Sequence, residues 1–93
     1  MHFEAMNWQM VEDYLKHDDR IMLVLGMTEQ HSSLSLLTDS LIPHHLAAAA
    51  SQETGILVAP PLHYGVSPSM MAYPGTISLR LATYLQIIED ITL

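Results

Sequence analysis

Ile21-Met22-Leu23-Val24-Leu25-Gly26-Met27-Thr28-Glu29-Gln30-His31 is the stretch on which the reading of the whole chain turns. Its first five residues form an unbroken apolar run, preceded by Asp18, Asp19 and Arg20. A run this short, without polar alternation, predicts a strand buried on both faces, as in a parallel sheet. Gly26 ends it. In open α/β sheets, ligands collect just beyond the carboxyl ends of strands. Glu29, His31 and the nearby Asp39 therefore stand where chemistry is expected.

Downstream, Ile56-Leu57-Val58-Ala59 is a second short apolar run. Between the two runs the pattern predicts a helix. Ser40 or Asp39 is its expected cap, Pro43 falls in the first turn, and Gly55 closes it. Strand, helix and strand over about thirty residues make a βαβ unit, hence a parallel pair with a right-handed crossover. Upstream, Asn7 is placed to cap a first helix over about residues 8–17. Trp8, Val11, Tyr14 and Leu15 fall on one stripe of it, which makes Trp8 and Tyr14 core residues. Pro60-Pro61 ends the second strand, and residues 62–75 form a long irregular loop. Loops of this length are usually functional or disordered, and this one leaves a strand's carboxyl end, toward the same crevice. Thr76-Ile77-Ser78 reads as a brief extended piece. Ser78 is then the expected cap of a last helix over about residues 79–92, with Leu81, Tyr84, Leu85, Ile88 and Ile91 on one face.

Ninety-three residues make one small domain at most. Hydrophobic residues are 49% and charged residues 14%. This leaves apolar surface for a partner subunit or for the remainder of a larger domain. The net charge is −7, with Lys16, Arg20 and Arg80 as the basic residues. That balance argues against nucleic acid and against an anionic membrane surface. Cysteine is absent, which excludes disulfides, thiolate zinc sites and cysteine nucleophiles and is compatible with the cytoplasm. The N-terminus has no basic segment followed by an apolar one, so no signal peptide is read there. No apolar run approaches the ~20 residues of a membrane helix.

In extended backbone, residues i and i+2 point to the same side, so Glu29 and His31 converge, and Asp39 arrives from the next helix. Carboxylate, imidazole and carboxylate suit Zn²⁺ or Mn²⁺, ions that activate water and polarise carbonyls. Glu-x-His pairs are also common among solvated loop residues, so spacing alone leaves both readings open. His44 and His45, adjacent on a helix, read as surface or interface residues, with room for one at most to face the crevice. His63 reads as a contact behind the site or to substrate. A Ser67, His63, Asp39 triad lacks the G-x-S-x-G turn that would support it.

Three blocks carry a resemblance. Gly26-Met27-Thr28-Glu29-Gln30-His31 with Thr38-Asp39 resembles G-S-x-E-Q-H-G-P-H-L-P-L-x-T-D. Thr54-Gly55-Ile56-Leu57-Val58-Ala59-Pro60-Pro61-Leu62-His63-Tyr64-Gly65-Val66-Ser67 resembles T-G-x-L-V-A-P-P-L-x-Y-G-x-S. Tyr73-Pro74-Gly75-Thr76-Ile77-Ser78-Leu79 resembles F-P-G-T-I-S-L. In order and spacing these are similar to the N-terminal part of the creatininase (creatinine amidohydrolase) family. The resemblance implies a three-layer α/β/α sandwich with a mostly parallel sheet, residues 1–93 being one partial domain of it. It implies a two-metal Zn²⁺ or Mn²⁺ site hydrolysing a cyclic or linear small-molecule amide in a homo-oligomer, often a hexamer. By position, Glu29 would bind one metal, His31 the other, and Asp39 would bridge them.

The chain departs from the family pattern at residues 32–37, where Ser32-Ser33-Leu34-Ser35-Leu36-Leu37 replaces G-P-H-L-P-L. The segment between His31 and Asp39 is one residue shorter, which predicts a displacement of Asp39. Ser69-Met70 stands where the family often has Glu-His. The family's later G-H-G-G-N-like motif and further Glu have no counterpart in these residues. Two readings follow: the N-terminal part of a metal-dependent amidohydrolase, or a catalytically inactive remnant or oligomerisation module of the same fold.

Overall fold

The structure is a computed structural model that describes residues 2–93. The expected βαβ unit is present. Strand β1 (Ile21–Met22) and strand β2 (Leu57–Val58) pair in parallel, with Ile21 opposite Leu57 and Met22 opposite Val58. Helix α2 (Thr38–Thr54) connects them and packs on β2. The parallel alignment continues past the strands at an isolated bridge between Leu25 and Leu62. On the other side of β2, His2 forms a parallel bridge with Val58. The α/β class and the parallel pairing thus match the sequence pattern.

Helix α1 (Trp8–Leu15) is capped as expected: the Asn7 side chain accepts the Met10 N–H at 3.0 Å. Tyr14 is a core residue, but Trp8 is not, since it is 70% exposed. Helical spacing picks out a face of α1; it does not say how far along that face a neighbour extends. Tyr14 sits where the neighbour is. Its hydroxyl donates to the Arg20 carbonyl and accepts the Leu57 N–H at 3.2 Å. One side chain thus ties the turn before β1 to β2.

The cap of α2 differs from expectation. Leu37, not Ser40 or Asp39, is the N-cap residue, and it contributes no side-chain bond. Ser35 turns the chain instead: its hydroxyl accepts the Leu37 N–H at 3.1 Å and its carbonyl accepts the Thr38 hydroxyl at 2.6 Å. The helix therefore starts at Thr38, and Pro43 lies deeper than its first turn. Gly55 closes the helix in the left-handed conformation, φ 73°, which glycine adopts without penalty. Helix α3 (Leu81–Thr92) begins two residues later than expected, with Arg80 at its N-cap. Ser78 does not cap it. Its hydroxyl is engaged by the Ser67 N–H at 2.8 Å and the Leu79 carbonyl at 3.1 Å, so the extended piece 76–78 is held against the 62–75 loop.

Among the described residues, Tyr14, Val24, Leu57 and Val58 are the buried apolar ones. The expected two-faced burial of residues 21–25 is reached only at Val24; Ile21 and Leu25 remain about half exposed. On α3, Leu81, Leu85 and Ile91 are at least half exposed. The described chain exposes 6476 Å², against roughly 5,400 Å² for a compact chain of this mass. Its radius of gyration is 15.2 Å, against about 12 Å for a compact domain of this length. Much of the apolar surface counted in the composition therefore lies outside the core. Among the described residues, no helix is long and apolar enough to cross a membrane.

Candidate metal centre

Beyond Leu25 the chain leaves the sheet and is fastened on several sides. The Glu29 N–H donates to the Leu36 carbonyl at 3.0 Å. The Gln30 N–H donates to the Thr76 hydroxyl at 3.0 Å, and Thr76 is buried. Thr28 uses its hydroxyl on the His63 carbonyl at 2.7 Å and its own carbonyl on the Ile77 N–H at 2.9 Å. Residues 28–30 are thus held between the segment before α2 and the piece 76–77. Gln30 steadies the turn that follows. Its amide oxygen accepts the Ser32 N–H at 3.0 Å, and its amide nitrogen meets the Met70 sulfur at 3.2 Å. Ser32 occupies the left-handed region, φ 55°, a strained position for a residue with a Cβ.

Asp39 reaches the same place from the first turn of α2. Gly26 controls that approach. A Cβ built on Gly26 would lie 2.0 Å from the Ser40 hydroxyl oxygen and 2.7 Å from the Ser40 Cα. With no side chain there, the start of α2 lies directly on the end of β1, and Ser40 is fully buried. The neighbour of Ser40 is therefore carried toward His31. The His31 Nε2 to Asp39 Oδ1 distance is 3.3 Å. Glu29, His31 and Asp39 each offer one donor atom, and these atoms all lie within 4.8 Å of one another. The displacement of Asp39 expected from the shortened segment does not separate the three. Two donors on one tetrahedral ion, each at about 2.1 Å from it, stand ~3.4 Å apart, which is close to the His31–Asp39 separation. The three side chains are neither deeply buried nor fully exposed, so an ion and its water have access.

The other histidines sort differently from their sequence reading. His45 is exposed, as expected of a surface residue. His44 turns inward: its Nδ1 is buried with no hydrogen-bond partner among the described residues, and its ring lies 5.3 Å from that of His2. On α2 it is four residues from buried Ser40 and seven from buried Ser51, which is the helical repeat of one face. His63 lies behind the site through its carbonyl, while its ring Nδ1 is buried and unpartnered among the described residues. Ser67 points its hydroxyl at the Met27 sulfur, 3.2 Å away, not at His63. Thr76 and Gly26 were not legible as parts of the site. Their roles depend on contacts 46 and 14 residues away in sequence, and no local pattern records them.

A family model described as creatininase, creatinine amidohydrolase, matches residues 4–93. The chain is similar to a point-mutant creatininase structure of Zn-Zn type and to a structure described as creatininase Mn. Each is 30% identical with a TM-score of 0.88, and the match covers 97% of this chain and 38% of theirs. It is 25% identical over 93 residues to 3-dehydro-scyllo-inosose hydrolase of Thermotoga maritima, covering 98% of this chain and 30% of that protein. The chain therefore spans about a third of the length of these relatives.

Proposed function

The chain belongs to the creatininase family, and from that premise we propose that Glu29, His31 and Asp39 hold divalent metal for the hydrolysis of an amide C–N bond. The observation that carries this reading is the convergence of their three donor atoms within 4.8 Å at the carboxyl end of β1. The zinc and manganese forms of the related structures make Zn²⁺ or Mn²⁺ the ion to test. By the resemblance of the three sequence blocks, Glu29 would bind one ion, His31 the other, and Asp39 would be shared.

When bound, such ions lower the pKa of coordinated water to ~7 and polarise the amide carbonyl. The chain's own residues hold the geometry. Thr76 and Leu36 fix the backbone of Glu29 and Gln30, so the carboxylate and imidazole are oriented before metal arrives. Asp39 beside His31 Nε2 provides the negative charge that a cation needs. The loop 62–75 lies against residues 28–30 through the Thr28 hydroxyl on the His63 carbonyl and the Gln30 amide on the Met70 sulfur, and it is itself held by bonds to Ser78 and Leu79. Two four-coordinate ions need more donors than three side chains supply. Full turnover therefore draws on donors beyond Glu29, His31 and Asp39.

The substrate is a small cyclic or linear amide. One related structure is described as complexed with creatine, which makes creatinine-like rings the first candidates. A cytoplasmic homo-oligomer fits the anionic composition and the exposed apolar surface. The surface also supports a second reading, a non-catalytic assembly module of the same fold.

Calorimetric titration of the 93-residue chain with Zn²⁺ and Mn²⁺ tests the metal assignment. Binding that weakens at least tenfold in His31→Ala is expected. Equal affinity in wild type, His31→Ala and Glu29→Gln refutes it. Turnover of creatinine by the chain alone is expected to be slight. Metal-dependent turnover that is lost in Glu29→Gln would overturn the need for further donors.

A further inference from the structure

The bond from the Glu29 N–H to the Leu36 carbonyl, 3.0 Å long, closes a loop over residues 29–36. Glu29 and His31 both stand in that loop, and Asp39 follows shortly after its end. Within it, the Leu34 N–H donates to the His31 carbonyl at 2.8 Å and the Ser32 N–H to the Gln30 side chain at 3.0 Å. Residues 32–36 are exposed and contain no proline, so no ring presets their backbone. A backbone bond at an exposed position exchanges with water for little net gain. Any residue at position 36 would offer a carbonyl; keeping that carbonyl on Glu29 takes a further hold.

The Leu36 side chain supplies it by lying on Gly75. A Cβ built on Gly75 would stand 2.8 Å from Leu36 Cδ1 and 3.3 Å from Cδ2. Gly75 follows Pro74 in a turn whose Tyr73 carbonyl accepts the Thr76 N–H at 3.3 Å, and its φ is 91°, a conformation that favours glycine at that turn position. Gly75 therefore serves the turn and leaves the seat of Leu36 open. Its neighbour Thr76 accepts the Gln30 N–H. Leu36 grips the backbone of Glu29, Thr76 grips that of Gln30, and the contact of Leu36 with Gly75 joins the two grips. Leu36 is 39% exposed, so this contact acts on the loop and adds little to the core. It lies in the segment where G-P-H-L-P-L is replaced, and it stiffens by packing what two prolines would stiffen by ring closure.

We propose that Leu36, through its side chain on Gly75, is a positioning residue of the metal centre. It closes the loop so that Glu29 and His31 meet an ion together with Asp39. This inference rests on the assignment of those three residues to metal.

The test compares wild type, Leu36→Ala, Leu36→Met and Glu29→Gln by Zn²⁺ calorimetry and, without metal, by hydrogen exchange of the Glu29 amide. Leu36→Ala is expected to speed exchange of that amide at least tenfold and to weaken zinc binding at least tenfold. The Leu57 amide, which donates to the Tyr14 hydroxyl in the core, should exchange as in wild type. Leu36→Met keeps an apolar side chain of similar length and should restore both values. Should Leu36→Ala also speed exchange at Leu57, Gly75→Ala attacks the same contact from the other side and is expected to have the same two effects. Gly55→Ala, left-handed but with open space around its Cβ, is the control for backbone strain and should change neither. Unchanged Glu29 exchange in Leu36→Ala and Gly75→Ala refutes the proposal whether or not zinc binds. Faster exchange with wild-type zinc affinity also refutes it, while weaker binding in Glu29→Gln leaves the metal assignment standing. Equal zinc affinity in wild type and Glu29→Gln overturns the metal assignment, and the proposal with it.

Discussion

Gly26→Ala is the perturbation that separates the making of the metal centre from the making of the fold. Its Cβ would lie 2.0 Å from the Ser40 hydroxyl oxygen and 2.7 Å from both Cα and Cβ of Ser40. A rotamer change moves the hydroxyl but leaves the backbone where it is. Ordinary carbon contacts begin near 3.4 Å, so the first turn of α2 must retreat by roughly 0.7 Å or β1 must bend. Asp39 precedes Ser40 and moves with it, opening the 3.3 Å approach to His31. Overpacking of this kind costs about 1–3 kcal/mol. At ~4–8 °C per kcal/mol for a chain this small, the midpoint falls by roughly 5–20 °C. Zinc affinity, measured calorimetrically below the variant's midpoint, should fall at least tenfold. Gly55→Ala is the control. It strains a left-handed residue but has open space around its Cβ. It should lose about 1 kcal/mol and keep wild-type zinc affinity. Removing the Ser40 side chain as well, in Gly26→Ala with Ser40→Gly, should restore only part of the affinity, because the new methyl still presses on the backbone of residue 40. A Gly26→Ala protein with wild-type midpoint and affinity would refute the claim that the Gly26–Ser40 approach positions Asp39.

Tyr14→Phe removes both bonds of a buried hydroxyl and leaves the Leu57 N–H without its partner; urea unfolding should show a loss of about 1–3 kcal/mol. Ser32→Gly relieves a left-handed serine. It should stabilise by about 0.5–1 kcal/mol once glycine's greater chain entropy is set against the relief, and a destabilised variant would contradict the strained turn. The side-chain hydrogen bond from Arg20, then its backbone N–H, hold the Asp18 carboxyl down to about 2 from an ordinary 3.8. Because the folded value is the lower one, this contribution is complete above about pH 4 and is lost as pH falls toward 2. A carboxyl NMR titration should give that midpoint, and Arg20→Ala should return it toward the ordinary range.

Local chemistry determined the backbone plan. The apolar runs at 21–25 and 56–59, with a helix between them and Gly55 to end it, specify a parallel βαβ unit, because hydrophobic period and a left-handed cap act over a few residues. The i and i+2 spacing of Glu29 and His31 likewise places two donors on one side of an extended segment. Tertiary contacts decided the rest. Asp39 stays with His31 despite the shortened segment because Gly26 admits Ser40 and the Ser35 turn starts α2 at Thr38. His44 turns its Nδ1 inward, Trp8 stays in solvent, and Ser78 bonds across to Ser67 instead of capping α3. In each case the outcome depends on which distant surface comes within a few ångströms, and that is set by chain packing. Periodicity can say that a residue lies on a face; it cannot say whether another element covers that face.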